Sequence, residues 1–321
     1  MTEPLKVCFV CSSAGTMAGG IETIATQLAN QIAKRGHEVY FITGTKFRFP
    51  FRHELFDLPN RVITVPYLSL KSKLVKIIAK LFKQAPINLQ SLNFCFSVLG
   101  NQRAFLSLIS SDLVVTFLEG EAVLFSRYLK KRSLPTIYYM PGCVDWRWLK
   151  KDQSIIRLTY SKWFMDFCKN THNFELDGYI HPGAPEQLLN LAPLKVKNTE
   201  ELCTLIYVGR LENNKGVSTV LSLFAALEPA FPNLRLKFVG DGPLVNALKQ
   251  KVKNLNLKAK VDFTGVLAPT RVHDELCSAD IFLFPSEYET FGLSVVEAMA
   301  SGLPVVASNH PALKEATNAT A

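Results

Sequence analysis

The stretch Asp280–Ser308, DIFLFPSEYETFGLSVVEAMASGLPVVAS, decides how the second half of this chain folds. Its run Ile281–Phe284 is short, apolar and followed by a proline, which predicts a buried strand of a parallel sheet. Phe291-Gly292-Leu293 predicts a strand-to-helix turn, and the residues from Leu293 to Ala300 predict a helix. A buried strand that leads through a turn into a helix is the repeating unit of α/β proteins, so this stretch predicts that fold class.

Two glutamates of this stretch are placed to accept hydrogen bonds from a ligand. The first amides of a helix have no partner within the helix, so an anion or a sugar hydroxyl can dock there. Glu297 lies four residues after Leu293, on the same face of the predicted helix as those amides. A carboxylate at that position can accept hydrogen bonds from the two adjacent hydroxyls of a ribose. Glu289 precedes the helix and can reach a second sugar.

The two acids and their neighbours resemble the signature of an enzyme family. Glu289 and Glu297 are separated by seven residues, with Phe-Pro-Ser, Phe-Gly, Glu-Ala and Gly-Leu-Pro-Val-Val steps around them. This pattern resembles the glutamate-x7-glutamate signature of retaining glycosyltransferases of family 4, within glycosyltransferase group 1. The resemblance implies the GT-B fold, in which two Rossmann-like, doubly wound parallel-sheet domains face each other across a cleft. An ordinary strand, loop and helix with two solvated acids is the alternative.

Length, composition and cysteine usage limit the class of protein. A chain of 321 residues favours two domains over one, and 48% hydrophobic with 20% charged residues is typical of globular proteins. No apolar run approaches the ~20 residues that a membrane-spanning helix needs. Seven scattered cysteines argue against a disulfide framework and for a cytoplasmic protein. Cys8 and Cys11 are interpreted as buried strand residues, because residues three apart lie on opposite faces of a strand.

The excess positive charge is confined to the first half of the chain. Residues 1–183 carry 23 Lys and Arg against 13 Asp and Glu, whereas residues 184–321 carry 13 against 14. No nucleic-acid-binding pattern accompanies this charge, so an anionic membrane surface or a phosphorylated acceptor fits better. In Leu70–Lys83, helical spacing places lysines on one face and apolar side chains on the other. This segment is predicted either to lie on the inner face of an anionic membrane or to be an ordinary outer helix.

Strand-like and helix-like segments alternate in both halves, which predicts two α/β domains. The predicted domains are residues 1–183 and 201–321, joined by a linker over residues 184–200, with six strands in the first domain and five in the second. Members of the family that the chain resembles usually continue with further strand and helix. We therefore expect the second domain to be incomplete.

A loop in the second domain has residues suited to a diphosphate. Val208–Gly216, VGRLENNKG, ends one predicted strand and opens a helix. In the family that the chain resembles, a basic pair in this loop contacts the donor diphosphate, which implies that role for Arg210 and Lys215, next to Gly209. Fixed cations suit that role, because negative charge grows on the diphosphate as the sugar–phosphate bond breaks. Two surface cations on a loop are the alternative.

Two further glycine turns are implied to approach the donor. Gly240 lies in the turn VGDGP, where glycine lets a backbone approach a nucleotide closely. Gly19 and Gly20 follow the first predicted strand and resemble the family's Gly-Gly loop, which faces the donor phosphates. Such loops are widespread in α/β proteins, so a simple turn is the alternative at each. His181 and His310 receive no role from the sequence.

The resemblance implies a retaining, hexosyltransferase-type glycosyltransferase that moves a sugar from a nucleoside-diphosphate sugar to an acceptor hydroxyl. The acceptor would be a glycan or a lipid-linked molecule in polysaccharide, glycolipid or cell-envelope glycan synthesis, and the first domain would bind it. Two alternatives with the same fold stay open. They are a nucleotide-sugar epimerase and a non-catalytic nucleotide-sugar-binding protein.

Each candidate residue has an implied role in that reaction. The implied catalytic residues are Arg210 and Lys215, on the diphosphate, and Glu289, on the hydroxyls of the donor sugar. Glu297 would hold the ribose, and the turn Phe291-Gly292-Leu293 would contact the donor. No metal or other cofactor is expected, because the chain has no Asp-x-Asp pair to hold a divalent ion. Fixed cations and helix amides can stabilise the diphosphate instead.

Overall fold

The computed structural model describes residues 3–14, 19–45, 61–66, 89–122, 125, 134–142, 155–184, 188 and 201–318. The chain divides into two compact units, Met1–Ile180 and His181–Ala321. The basic segment Leu70–Lys83 and nearly all of the predicted linker lie outside the described residues. Where the structure describes the chain, no helix is both long and apolar enough to cross a membrane.

The first unit contains a seven-stranded parallel sheet with helices between its strands. Its strands are β1 (Lys6–Val10), β2 (Glu38–Thr45), β3 (Val62–Pro66), β4 (Leu113–Thr116), β5 (Thr136–Met140), β6 (Ile155–Thr159) and β7 (Gly178–Tyr179), and its described helices are α1 (Gly20–Lys34), α2 (Leu89–Gly100), α3 (Gln102–Ile109) and α4 (Lys162–His172). The strand order is β3-β2-β1-β4-β5-β6-β7. The order reverses between β1 and β4, which is where ligands bind in open α/β sheets. Six of these strands were predicted, and β6 was not.

The first sheet is buried on both faces because its central strand is almost wholly apolar. On one face, the ring of Phe9 stacks on those of Phe41 and Phe117, with centroids 6.1 and 6.2 Å away. On the other face, Cys8 packs in a cluster of buried apolar side chains. Burial raises the pKa of the Cys8 thiol to about 12. Cys8 and Cys11 are both fully buried, as predicted, but Cys11 is not a strand residue, because β1 ends at Val10.

The second unit contains a five-stranded parallel sheet. Its strands are β8 (Cys203–Val208), β9 (Leu234–Val239), β10 (Val261–Gly265), β11 (Ile281–Phe284) and β12 (Val305–Ala307), and its helices are α5 (Val217–Leu227), α6 (Val245–Asn254), α7 (Pro269–Ser278), α8 (Leu293–Ala300) and α9 (Pro311–Ala316). The order β10-β9-β8-β11-β12 reverses between β8 and β11. The loops that follow β8 and β11 therefore leave the same edge of the sheet side by side. All five predicted strands of this unit are confirmed.

Aromatic and branched side chains form the core of the second unit. Tyr207 of β8 stacks on Phe284 of β11, with centroids 5.9 Å apart, and Phe238 of β9 stacks on Phe263 of β10 at 5.2 Å. Helix α5 buries side chains at a spacing of three or four residues, which is one face of a helix: Val217, Val220, Leu221 and Phe224. This core fixes the strand ends from which the candidate loops emerge.

Candidate functional site

The loops that follow β8 and β11 are joined by backbone contacts. The amide of Glu287 donates to the carbonyl of Asn214 at 2.9 Å, and the hydroxyl of Ser286 donates to the same carbonyl at 3.3 Å. Gly216 has a φ of +66°, and a Cβ added there would lie 2.0 Å from the carbonyl oxygen of Pro285. Glycine is therefore required at this position for the two loops to approach.

This approach brings Lys215 and Glu289 together, although they are 74 residues apart in sequence. The Nζ of Lys215 donates to Oε1 of Glu289 at 2.6 Å and to the carbonyl of Tyr288 at 3.1 Å. The two side chains are 20% and 11% exposed. Solvent screens such a pair less than a surface pair, so it holds the ammonium in a defined place. The structure thus unites one residue predicted for the diphosphate and one predicted for the donor sugar.

Arg210 has a fixed backbone and an exposed side chain. The buried Tyr207 donates its hydroxyl to the carbonyl of Arg210 at 3.0 Å. The side chain is 73% exposed, and its Nε lies 2.9 Å from Oε1 of Glu212. Within residues 201–318, no ion pair joins it to Glu289. The structure therefore does not bring Arg210 into the cluster of Lys215 and Glu289.

The glycine turn that follows β9 packs on the loop that follows β8. Gly240 has a φ of +130°, and a Cβ there would lie 2.0 Å from the carbonyl oxygen of Gly209. The amide of Leu211 donates to the carbonyl of Asp241 at 2.9 Å. Loop packing alone therefore explains the glycine at Gly240, and the predicted contact with a nucleotide stays a prediction.

The start of α8 offers backbone amides to the region of Lys215 and Glu289. Gly292 has a φ of +94° and precedes the helix without a side-chain cap. The amides of Val295 and Val296 donate to its carbonyl, so those of Leu293 and Ser294 precede the hydrogen bonds of the helix. The predicted turn and helix are thus confirmed with their predicted bounds.

Glu297 is buried within α8. It is 9% exposed, and burial raises the pKa of its carboxyl from 4.5 to about 7. Among residues 201–318, the structure shows hydrogen bonds to its backbone carbonyl, from Ser301, and none to its carboxylate. A carboxyl in this state is suited to accept hydrogen bonds from a ligand, because these replace the hydration that it loses on burial.

Two histidines that received no role from the sequence lie beside this region. The ring of His181 stacks on that of Phe291, with centroids 5.3 Å apart, and its Nε2 lies 2.6 Å from Oε1 of Glu315. His310 caps α9, because its Nδ1 accepts from the amide of Ala312 at 3.2 Å.

The pKa of His310 ties this residue to the Lys215–Glu289 pair. Burial lowers the pKa, while the charge of Glu289 raises it and that of Lys215 lowers it further. The signal that points to His310 is its position: it follows β12, the strand beside β11. His310 is therefore close enough to feel the charges of this pair, which the sequence did not predict.

The glycine pair of the first unit begins helix α1. Gly19 is the N-cap residue, in extended backbone with a φ of −172°. A Cβ there would lie 2.7 Å from Oε2 of Glu22, whereas one on Gly20 would meet nothing within 4 Å. An acid in the first turn already complements the positive end of the helix dipole. This geometry does not decide whether the loop contacts phosphates, so that role stays a prediction.

A fully buried carboxyl lies in the first unit near the reversal between β1 and β4. Glu121 is 0% exposed, and its Oε1 accepts from the amide of Ser12 at 3.1 Å. Its Oε2 has no hydrogen-bond partner. Burial raises the pKa of this carboxyl from 4.5 to about 8, so it carries a proton near neutral pH. In the part of the chain that the structure describes, no group of three His, Cys, Asp or Glu side chains could hold a metal ion.

Comparison with known protein families finds a match for the second unit. Residues 194–320 match the family model described as "Glycosyl transferases group 1". This part of the chain belongs to glycosyltransferase group 1. The match includes the predicted donor residues of the second unit and excludes Gly19 and Gly20.

Relatives of this chain extend the similarity over both units. Alpha-monoglucosyldiacylglycerol synthase of Streptococcus pneumoniae is 27% identical over 313 residues, which cover 92% of this chain and 69% of that protein. Sucrose-phosphate synthase from Thermosynechococcus elongatus superimposes with a TM-score of 0.68 at 18% identity, over 94% of this chain and 81% of that one. HepE of Anabaena, in complex with UDP and glucose, gives a TM-score of 0.68 at 17% identity, over 97% of this chain and 82% of that one. The two parallel-sheet units and these neighbours confirm the predicted GT-B fold.

Proposed function

We propose that this chain transfers a sugar from a nucleoside-diphosphate sugar to an acceptor hydroxyl, with retention of the anomeric configuration. The observation that carries the proposal is the Lys215–Glu289 pair beside the start of α8, in a group 1 domain. This arrangement sets a fixed cation, a carboxylate and helix amides at one edge of the sheet. A sugar diphosphate presents complementary groups, namely anionic oxygens and hydroxyls.

In the proposed reaction, the bond between the sugar C1 and the diphosphate oxygen breaks, and its electron pair leaves with the diphosphate. Lys215 and the amides of Leu293 and Ser294 stabilise the growing negative charge, which is where fixed donors lower the barrier most. The exposed Arg210 turns towards the diphosphate once it is bound, and can grip two oxygens at once. No metal is needed for this step in our proposal.

The acceptor oxygen then bonds to C1 on the face that the leaving group vacates, which gives retention. Its proton passes to an oxygen of the departing diphosphate, so the proposal requires no protein base. Glu289 accepts hydrogen bonds from hydroxyls of the donor sugar and, through its pair with Lys215, links sugar and diphosphate recognition.

Glu297 is proposed to hold the ribose. Its carboxyl is buried, with a pKa of about 7, so about half of the molecules carry the ionised form at pH 7. Two ribose hydroxyls donate to the ionised form and lower that pKa. Nucleotide binding is thus coupled to loss of the Glu297 proton.

The relatives indicate which donors and acceptors to test first. HepE was solved with UDP and glucose, and the Streptococcus relative is named as a glucosyldiacylglycerol synthase. For this chain we accordingly propose a UDP-sugar donor and a glycan or lipid-linked acceptor. An anionic membrane surface remains a proposed partner that rests on the sequence of Leu70–Lys83 alone, and a cytoplasmic location rests on the cysteine usage.

Proton NMR of complete reactions tests the proposed function. The protein is mixed, in EDTA, with UDP-glucose, UDP-N-acetylglucosamine, GDP-mannose or ADP-glucose, each with soluble oligosaccharides or with diacylglycerol vesicles. Release of one nucleotide together with an α-linked product from the α-linked donor is the expected result. A β-linked product would contradict retention, and formation of an epimeric donor would indicate an epimerase. Tight donor binding without turnover of any pair would indicate a non-catalytic binder.

A further inference from the structure

His181 links three segments of the second unit. Its ring stacks on Phe291 at 5.3 Å with an interplanar angle of 22°, and its Nε2 lies 2.6 Å from the carboxylate of Glu315 in α9. Phe291 is 4% exposed and directly precedes Gly292, the residue before α8. The first residue of the second unit is thereby connected both to α9 and to the turn that starts α8.

Helix α9 supports the same turn from another side. A Cβ added to Gly292 would lie 2.3 Å from Cδ2 of Leu313, so this leucine packs directly on the glycine. His310, the N-cap of α9, feels the charges of Glu289 and Lys215. The segment 288–293, which we call the donor loop, is therefore contacted by α9 at Gly292 and by His181 at Phe291.

We propose that His181 is a positioning residue for the donor loop: its stack on Phe291 and its hydrogen bond to Glu315 fix the turn that orients Glu289 and the first amides of α8. The inference deepens the proposed function, on which it rests for the identity of the ligand. The fixing of the loop itself is independent of any ligand.

The solvent exposure of His181 and Glu315 separates this positioning role from a purely structural one. The side chains of His181 and Glu315 are 46% and 19% exposed, so their hydrogen bond contributes little to the stability of the whole unit. Loss of His181 should then loosen the loop while the unit stays folded.

Hydrogen–deuterium exchange of the free full-length chain tests the positioning role. Peptides covering residues 287–296 are compared among wild type, His181→Ala and Glu315→Gln. Both variants should raise the exchange of these amides roughly threefold to tenfold, while the thermal midpoint stays that of wild type. His273→Ala, which changes a half-buried histidine of α7 in the same unit, is the matched control and should leave these peptides unchanged.

Partial variants separate the two contacts of His181. His181→Phe keeps a ring on Phe291 without the hydrogen bond, and His181→Gln keeps a donor without the ring. Each should restore part of the protection, and each should recover part of the UDP affinity measured by calorimetry. If only the bulk of the side chain matters at this position, His181→Phe should restore the protection and the UDP affinity fully, and His181→Gln should restore neither. That result would overturn the proposed role of Glu315.

The outcomes for this inference and for the proposed function are distinct. If His181→Ala raises loop exchange but wild type binds no nucleotide, the positioning role stands and the proposed function fails. If wild type binds UDP and His181→Ala changes neither loop exchange nor UDP affinity, the inference is overturned while the function stands.

Discussion

At the residue scale, the site depends on two loops whose meeting cannot be read from either loop alone. The sequence predicts separate roles for Lys215 and Glu289, but not that their side chains are 2.6 Å apart. That distance depends on how closely the loop after β8 approaches Pro285, which Gly216 permits. The effect of this pair on His310 was missed for the same reason, since His310 follows a third strand, β12.

A substitution at Gly216 tests this dependence. Gly216→Ala places a Cβ against the Pro285 carbonyl and forces an L-residue to a φ of +66°. We expect it to lower the free energy of unfolding by about 2–4 kcal/mol, and to weaken nucleotide binding further. Urea unfolding measures the first effect. Gly20→Ala is the control, because a Cβ there meets nothing within 4 Å, and its stability should match wild type.

The ionisation of Glu297 predicts a pH dependence of donor binding. The buried carboxyl has a pKa of about 7 and binds ribose hydroxyls in its ionised form, so affinity should rise as pH rises through 7. Between pH 8 and pH 6 the affinity for UDP-glucose should fall about tenfold, because roughly a tenth of the carboxyl stays ionised at pH 6. UDP-glucose is used because its own diphosphate does not titrate in this range.

Glu297→Gln provides the control for this pH dependence. The amide does not titrate, so the variant should bind UDP-glucose weakly and with a flat profile from pH 6 to 8. A wild-type profile that is also flat would show that Glu297 is not the group that recognises the donor.

At the scale of elements, strands with continuous or alternating apolar residues were predicted well. All five strands of the second unit and helix α8 follow from such patterns, since a strand buried on both faces has little room for polar residues. Strand β6 was missed because Arg157 interrupts it. The structure explains this arginine: its amide donates to Asp177 at 2.7 Å and its Nε at 3.0 Å, beside the short β7.

Of the two interpretations of the basic segment Leu70–Lys83, the membrane-surface helix predicts attachment through its lysines, and the ordinary outer helix does not. Each lysine near an anionic surface contributes roughly 1 kcal/mol, so exchanging Lys73, Lys76 and Lys80 for Gln should abolish most binding to anionic vesicles. Cosedimentation with vesicles with and without phosphatidylglycerol measures this. The matched control exchanges Lys249, Lys251 and Lys253 of α6 and should bind as wild type does. Unchanged binding of the first variant would identify the segment as an ordinary outer helix.

At the scale of the whole molecule, the buried Glu121 predicts how stability varies with pH. Its folded pKa, about 8, exceeds its ordinary value of 4.5, so between these values the folded state binds more protons than the unfolded one. The contribution of Glu121 to the free energy of unfolding is fully present below pH 4.5 and is lost as the pH rises through 8. The loss is at most on the order of 5 kcal/mol.

Urea unfolding at pH 5.5, 7 and 8.5 measures this contribution. Wild type should lose stability steadily over the series, and Glu121→Gln should lose much less, becoming the more stable of the two at pH 8.5. A variant with the same slope as wild type would show that Glu121 is ionised within the folded protein or is reached by water.

The fold as a whole was predicted from one stretch, because the residues of Asp280–Ser308 predict a parallel strand that leads through a glycine turn into a helix. The strands of the second unit and helix α8 could be predicted on that basis, whereas the exposed position of Arg210 could not. The first unit could be predicted only as alternating strands and helices, since its Gly-Gly loop and buried acids are common to many α/β proteins. The side-chain positions around Glu121 and α1 depend on tertiary packing, and single-sequence patterns do not encode these.

The most direct test of the account is calorimetric titration of the full chain with UDP, GDP and ADP in EDTA. The same titrations are made on Lys215→Ala and Glu297→Gln, with the exposed Lys253→Ala of α6 as the control. We expect one nucleotide to bind wild type and the control equally. Both site variants should bind it about 10–150-fold more weakly, as the loss of a charge-assisted contact requires. If no nucleotide binds the folded chain, or if both site variants bind as wild type does, residues 209–216 and 286–297 do not form a donor site.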